Sequence, residues 1–262
     1  MSVSCPTSTS CAANRGRRMA LTTVLACAFG SHAGNLQVAP IVLEFSENQQ
    51  ANALWLENNG EQAVHAQIRV QQWSQTGASD VLAPTQALRA SPAIVQVLPG
   101  ERQLVRIVRP APLPATIAYE QAYRVWVDEL PEANAQRPSG LQFLLRYSIP
   151  VFVLPHAALP REQISTAVED AHRLQTNWQF ATGVLVLDAH NAGNQRVRLS
   201  ELGWRADNGT VTPLHPGLLG YVLAGQDMQW KLPLTTQLPH PGHLQARLND
   251  APAAQPLLSA GR

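Results

Sequence analysis

From Val64 to Gln71 the side chains alternate without a break. Val64, Ala66, Ile68 and Val70 are apolar, and His65, Gln67, Arg69 and Gln71 between them are polar. Neighbouring side chains of an extended chain point to opposite faces, so a period of two predicts a half-buried strand with one wet face. The pattern returns at Tyr123, Val125 and Val127, set against Arg124, Trp126 and Asp128. Ala53 to Glu57 reads as a strand closed by the turn signal Asn58-Asn59-Gly60, and Pro99-Gly100 divides Ile94–Leu98 from Leu104–Val108. Leu141 to Val153 is the longest strand-like segment. Alternation stops at Pro155-His156-Ala157-Ala158-Leu159-Pro160, where two prolines bracket a candidate hinge. Strands then resume at Trp178–Phe180, Val184–Ala189, Val197–Leu199, Gly220–Leu223 and Met228–Leu232. Asn191-Ala192-Gly193 follows its strand much as Asn58-Asn59-Gly60 follows an earlier one, which suggests two copies of one sandwich. The 16 glycines and 20 prolines fall between the apolar runs, as turns between many short strands require. The expected fold is all-β, with two immunoglobulin-like sandwiches, and at most one short helical turn within Glu162–Leu174.

The N-terminus reads as a secretion signal. Arg15, Arg17 and Arg18 precede the apolar stretch Met19–Gly30, and Ser31-His32-Ala33 supplies small residues where a signal peptidase cuts. Residues 1–33 are therefore assigned to a signal peptide, with Met19 a second candidate start. The stretch is too short for a permanent membrane anchor. A lipoprotein would need Cys27 as the acylated residue, and Leu25 two positions before it fits that signal poorly. All three cysteines (Cys5, Cys11, Cys27) lie in this leader, so the exported chain carries no disulfide and depends on packing. A net charge of +1 with 14% charged residues gives no basic surface for nucleic acid.

The residues offer little for catalysis. There is no Gly-x-Ser-x-Gly and no phosphate-cradling glycine loop. His240 and His243 form a close pair in a proline-rich loop, but no third ligand accompanies them, so no metal is expected. Asp128 and Glu129 are neighbours on a strand and point to opposite faces, which argues against a shared acid–base site. No cofactor and no enzymatic activity are expected. The six tryptophans (Trp55, Trp73, Trp126, Trp178, Trp204, Trp230) spread over many strands and read as sandwich core, with a sugar-binding platform as the alternative.

The long strand says more. Leu141, Phe143, Leu145, Tyr147, Ile149 and Val151 form an unbroken apolar face, whereas the other face carries Gln142, Leu144, Arg146, Ser148, Pro150 and Phe152. Proline cannot donate to a sheet ladder, so Pro150 favours an edge strand over one paired on both sides. A long apolar edge is a template for another chain, and leaving it open implies a partner.

Several stretches, in order along both halves, resemble the periplasmic pilus (fimbrial) assembly chaperones of the PapD-like class, and more closely the archaic, Csu-type branch of chaperone–usher systems. They are Ala53-Leu-Trp-Leu-Glu-Asn-Asn-Gly60, Gln67-Ile-Arg-Val-Gln-Gln-Trp73, Tyr123-Arg-Val-Trp-Val-Asp-Glu-Leu-Pro131, Arg146-Tyr-Ser-Ile-Pro-Val-Phe152 and Gly220-Tyr-Val-Leu223. The resemblance implies two immunoglobulin-like domains in a boomerang arrangement with a cleft between them. It divides the chain into a pilin-binding domain over 34–155, a hinge at 156–160 and a second domain over 161–262. It implies a periplasmic chaperone that lends a strand to incomplete pilin subunits and delivers them to an outer-membrane usher, a form of β-augmentation. The donor strand would present Leu141, Phe143 and Leu145, with Tyr147, Ile149 and Val151 kept for the chaperone's own core. The better-known branch grips the pilin's terminal carboxylate with an arginine and a lysine, at positions that here read Val42 and Pro150. In the archaic branch the anchor falls on the arginine of Tyr-Arg, here Arg124, with Arg146 as the candidate second cation. The competing class is a secreted adhesive or carbohydrate-binding sandwich.

Overall fold

The structure is a computed structural model that describes residues 36–46, 48–111, 117–131, 143–155, 173–234, 238–239 and 241–257. The signal segment, the hinge at 156–160, Leu141 and His240 lie outside the described residues.

The first half runs through β1 (Leu36–Ala39), β2 (Leu43–Phe45), β3 (Ala51–Asn58), β4 (Val64–Thr76) and β5 (Ser79–Pro84). It continues with β6 (Arg89–Ser91), β7 (Ile94–Val97), β8 (Arg102–Val108), β9 (Gln121–Leu130) and β10 (Arg146–Val153). The second half holds β11 (Leu174–Ala181), β12 (Val184–Asn191), β13 (Val197–Ala206), β14 (Val211–Val222), β15 (Asp227–Pro233), β16 (Gly242–Leu248) and β17 (Gln255–Pro256). Each half forms two sheets. The first pairs β1-β3-β8-β6 in one sheet and β2-β10-β9-β4-β5 in the other, with β7 added to β4. The second pairs β11-β12-β15 and β14-β13-β16-β17. The expected strands are present and mostly longer than the sequence suggests. Leu174 opens a strand and Arg173 before it is helical, while residues 162–172 of the expected helical turn lie outside the described residues.

Burial follows the period of two. On β9, Tyr123, Val125 and Val127 face the first core, where they meet Ile68 of β4 and Ile149 and Val151 of β10. Leu185, Leu187, Leu199, Trp204, Leu244 and Leu248 build the second core. A fully buried Leu or Val contributes roughly 1.5–3 kcal/mol, so these faces stabilise each sandwich without any disulfide. The tryptophans divide. Trp73 and Trp204 are buried, and Trp178 and Trp230 pack on the second core. Trp55 and Trp126 are not core: each lies under an arginine, with Arg102 4.1 Å from the Trp55 ring and Arg146 4.5 Å from the Trp126 ring. Among the described residues no second sheet covers the faces on which they stand, and a guanidinium shields each ring.

The suspected internal repeat is physical. Asn58 is fully buried; its side-chain oxygen accepts from the Gly60 N–H at 2.9 Å and its amide donates to the carbonyls of Gln62 and Val97. Asn191, equally buried, accepts from the Gly193 N–H at 2.9 Å and donates to the carbonyls of Gln195 and Val222. In both cases one side chain satisfies a turn and ties it to a strand, which buried backbone groups require.

Candidate functional site

β10 pairs antiparallel with β9 along its whole length, but β2 covers its other side only at Val151–Val153. The Glu129 N–H donates to the Leu145 carbonyl at 3.0 Å, which makes Leu145–Glu129 a pair whose backbone groups face each other. Alternation along an antiparallel ladder then turns the N–H and C=O of Tyr147, Ile149 and Val151 toward β9 and those of Arg146, Ser148, Pro150 and Phe152 away from it. The Leu154 N–H, of the same parity, indeed donates to Phe45 on the β2 side at 2.9 Å. Among the described residues no strand meets the outward groups of Arg146 and Ser148. Pro150 stands on this open edge, so its missing N–H costs no ladder bond, and β2 begins its pairing one residue later.

The strand itself starts at Arg146, not at the expected Leu141. Phe143 and Leu144 precede it outside the ladder, and Leu145 keeps one backbone bond to Glu129, whose side chain accepts the Leu145 N–H at 3.3 Å. Burial raises the Glu129 pKa, and that N–H works against the rise. Phe143 and Leu145 have the parity of the core face, yet Phe143 is 74% exposed and Leu145 is also exposed. Tyr147 is half-buried against the core, and Ile149 and Val151 are buried in it. The apolar face thus changes from exposed at Phe143 and Leu145 to buried at Ile149 and Val151.

The outer face of the same sheet carries the two candidate cations. Arg124 lies opposite Pro150 on one side and Gln71 on the other. Its guanidinium lies 3.8 Å from the Trp73 ring centre and 6.0 Å from that of Tyr221, a residue of the second sandwich. Burial lowers its pKa, while Asp80 and Tyr221 nearby partly restore it; arginine remains charged regardless. Among the described residues nothing hydrogen-bonds or ion-pairs with it. Asp80 is occupied: its Oδ1 accepts from the Trp73 Nε1–H at 2.9 Å and from the Gln75 amide at 3.0 Å.

Arg146 is placed differently. Its Nε–H donates to Asp128 Oδ1, and Arg69 donates to Asp128 Oδ2 through Nε and Nη2. Burial alone would raise the Asp128 pKa, but the bonds and charges of Arg146 and Arg69 outweigh it and hold the carboxyl below its ordinary value. Arg69 also lies 5.1 Å from the Trp126 ring, so the indole carries both cations. Arg124 and Asp128 are four residues apart on β9, about 13 Å along a strand. Asp128 and Glu129 do diverge to opposite faces, Asp128 with the arginines and Glu129 with Leu145.

Sequence reading missed what joins the sandwiches beside Arg124. Trp73, Ala122 and Phe152 pack against Tyr221 and Leu223, with Val42 alongside, so the position that lacks the expected arginine is filled by apolar packing. The Gln75 amide donates to the Tyr221 carbonyl at 2.8 Å and accepts from the Leu223 N–H at 2.9 Å, as a neighbouring strand would. Arg196 of β13's approach is buried and binds Glu120 and Glu44 of the first sandwich. The paired polar residues at Gln75 and Arg196 carry no periodic signal, so only the fold reveals them. Among the described residues no group of three or more His, Cys, Asp or Glu could hold a metal, and His243 lies on β16.

The open edge of β10 and Arg124 beside the second sandwich lie in the part of the chain that matches a known family. Residues 35–159 match the family described as pili and flagellar-assembly chaperone, PapD N-terminal domain, so this first half of the chain is that of a PapD-like pilus chaperone. Among solved structures it is similar to the CsuC–CsuE chaperone–tip adhesion subunit pre-assembly complex from archaic chaperone–usher Csu pili of Acinetobacter baumannii. That match has 25% identity and a TM-score of 0.62 over 85% of this chain and 96% of that one. The CupB2 chaperone of Pseudomonas aeruginosa has the same fold at 20% identity and TM-score 0.53, over 85% of this chain and 100% of that one. So does the Salmonella enterica SafA pilin–SafB chaperone complex, at 15% identity and TM-score 0.55 over 83% and 91%. No curated protein sequence matches the chain.

Proposed function

We propose that this chaperone works in the periplasm, caps incomplete pilus subunits by lending them the free edge of β10 with the segment before it, and hands them to an outer-membrane usher. The carrying observation is the open edge: outward backbone groups at Arg146 and Ser148, closed off by Pro150, and continued by exposed Phe143 and Leu145. A pilin that lacks its last strand exposes a groove of core side chains and unpaired backbone. Leu141, Phe143 and Leu145, which share one face once the segment is extended, fill such a groove, and the edge supplies the missing ladder. A slip by one residue would present Gln142, Leu144 and Arg146 and bury a charge, so the register is set.

Arg124 is the anchor for the subunit's terminal carboxylate. It stands at the cleft end of the edge, stacked on Trp73, with its donors unclaimed. A guanidinium binds a carboxylate through two parallel bonds, a geometry lysine lacks. Arg146 stands about 13 Å further along the strand and is bonded to Asp128, so it does not share that carboxylate. In this reading residues 34–155 are the subunit-binding domain, 161–262 the second domain, and 1–33 a leader removed on export. The test is recovery from the periplasm: the chain should co-purify one-to-one with a smaller secreted subunit and begin near Gly34. Recovery alone, bound to sugar, would favour the carbohydrate-binding alternative.

A further inference from the structure

We propose that Arg146 is a second anion site, which takes an acidic side chain about four residues before the C-terminus of the bound subunit. The proposal rests on the anchor reading of Arg124 and deepens it from a general grip to a sequence preference.

Charge accounting comes first. Asp128 is one carboxylate between two guanidiniums, and Arg69 already meets Oδ2 with both Nε and Nη2. Arg146 adds only its Nε, on Oδ1. The cluster therefore holds one surplus positive charge, and the Nη1 and Nη2 donors of Arg146 have no partner among the described residues. The Arg146 side chain is 54% exposed, more than that of Arg69 at 41%. Trp126 beneath it, 4.5 Å away, fixes the plane of the guanidinium and leaves the far edge presented. The depressed Asp128 pKa keeps that carboxylate ionised in neutral solution, so the presentation does not vary there.

Geometry comes second. Arg146 lies opposite Asp128 and Pro150 opposite Arg124, with both pairs on the outer face of the sheet. A partner strand whose terminal carboxylate sits at Arg124 extends back along the free edge toward Arg146. It covers the distance between the sites in about four residues at 3.3 Å each. Four is even, so the side chain that arrives at Arg146 lies on the same face as the end of the chain. A carboxylate there meets two charge-assisted donors; a lysine there meets an unpaired cation.

Short synthetic peptides of alternating valine and threonine test this by calorimetry on the whole exported chain. One carries glutamate four residues before a free carboxyl end, one carries glutamine there, and one carries glutamate three residues before the end. A fourth repeats the first with an amidated end. The glutamate peptide should bind about ten-fold more tightly than the glutamine peptide, and moving the glutamate by one residue should erase the gain. Arg146→Gln should lower affinity for the first peptide to that of the glutamine peptide and leave the glutamine peptide unchanged. Equal binding of glutamate and glutamine peptides overturns the proposal, as does a variant that weakens both alike. The amidated peptide reads Arg124 separately: if amidation costs nothing, the anchor reading fails whatever residue 146 prefers. Binding of no peptide at all overturns both.

Discussion

The two sandwiches share a device and differ in an edge. Asn58 and Asn191 make the same kinds of bond, two at the same offsets and a third to a distant strand, so each sandwich closes the same turn in the same way. Only in the first does a described apolar segment run past the end of its ladder, where Phe143 and Leu145 continue a core face that no sheet covers. The repeated feature is what a sandwich needs in order to fold. The unrepeated one leaves apolar area exposed beside a free edge, which is a liability in a chain without a partner. The comparison separates two stretches: Ile149 and Val151 of β10 are buried in the core, whereas Phe143 and Leu145 just before the strand are exposed and, in the proposed function, meet the subunit.

The largest expected effect breaks the comparison at the edge. Phe143→Ser should abolish protection of a co-expressed subunit while the melting temperature of the free chaperone stays within a degree or so, since surface substitutions usually change stability by less than about 0.5 kcal/mol. Ile149→Ser should do the reverse and unfold the chaperone. A Phe143→Ser protein that fails to fold would make that residue core.

Next comes Arg124→Ala. If the carboxylate pair is buried on docking, losing one partner costs on the order of 3–5 kcal/mol, a loss in subunit affinity of two to three orders of magnitude, with circular dichroism and melting unchanged. Unaltered affinity would remove Arg124 from the site.

The shared turns come third. Asn58→Ala and Asn191→Ala each strand buried backbone groups and should each destabilise by about 3 kcal/mol, read by urea unfolding. Similar losses in the two sandwiches uphold the equivalence; a loss at only one breaks it.

The smallest effect is electrostatic. The folded Asp128 pKa is depressed, so its contribution is present above the ordinary value of 3.8 and is lost as pH falls through the folded value below it. Both arginines are well exposed, which screens the network, so Asp128→Asn should cost about 1 kcal/mol or less at neutral pH. The acid limb of the stability curve should flatten below pH 3.8 by the same amount. An unchanged limb would show the network to be ornamental.

The sequence made the strands and their faces legible because a period of two is written residue by residue, as from Val64 to Gln71. It also showed the Asn-x-Gly turns. It ran past the start of the β10 strand over the described residues Phe143, Leu144 and Leu145, because alternation continues there while the ladder with β9 ends at Asp128. The cleft was half legible. Arg124 was visible through a family motif, but Trp73, Gln75, Tyr221 and Arg196 come from strands far apart in the chain, and no local pattern announces that they meet. Arg146 was visible as a cation, whereas its tie to Asp128 depends on strand register.

Amide hydrogen exchange along β10 tests the central claim most directly, because the strand contains its own control. In the free chaperone the Tyr147 and Ile149 amides, which face β9, should exchange slowly, and the Arg146 and Ser148 amides, on the open edge, should exchange fast. With a subunit bound, all four should be slow. Arg146 and Ser148 amides that stay fast in the complex, or that are already slow without a subunit, would contradict the assignment of this edge as the strand the chaperone lends.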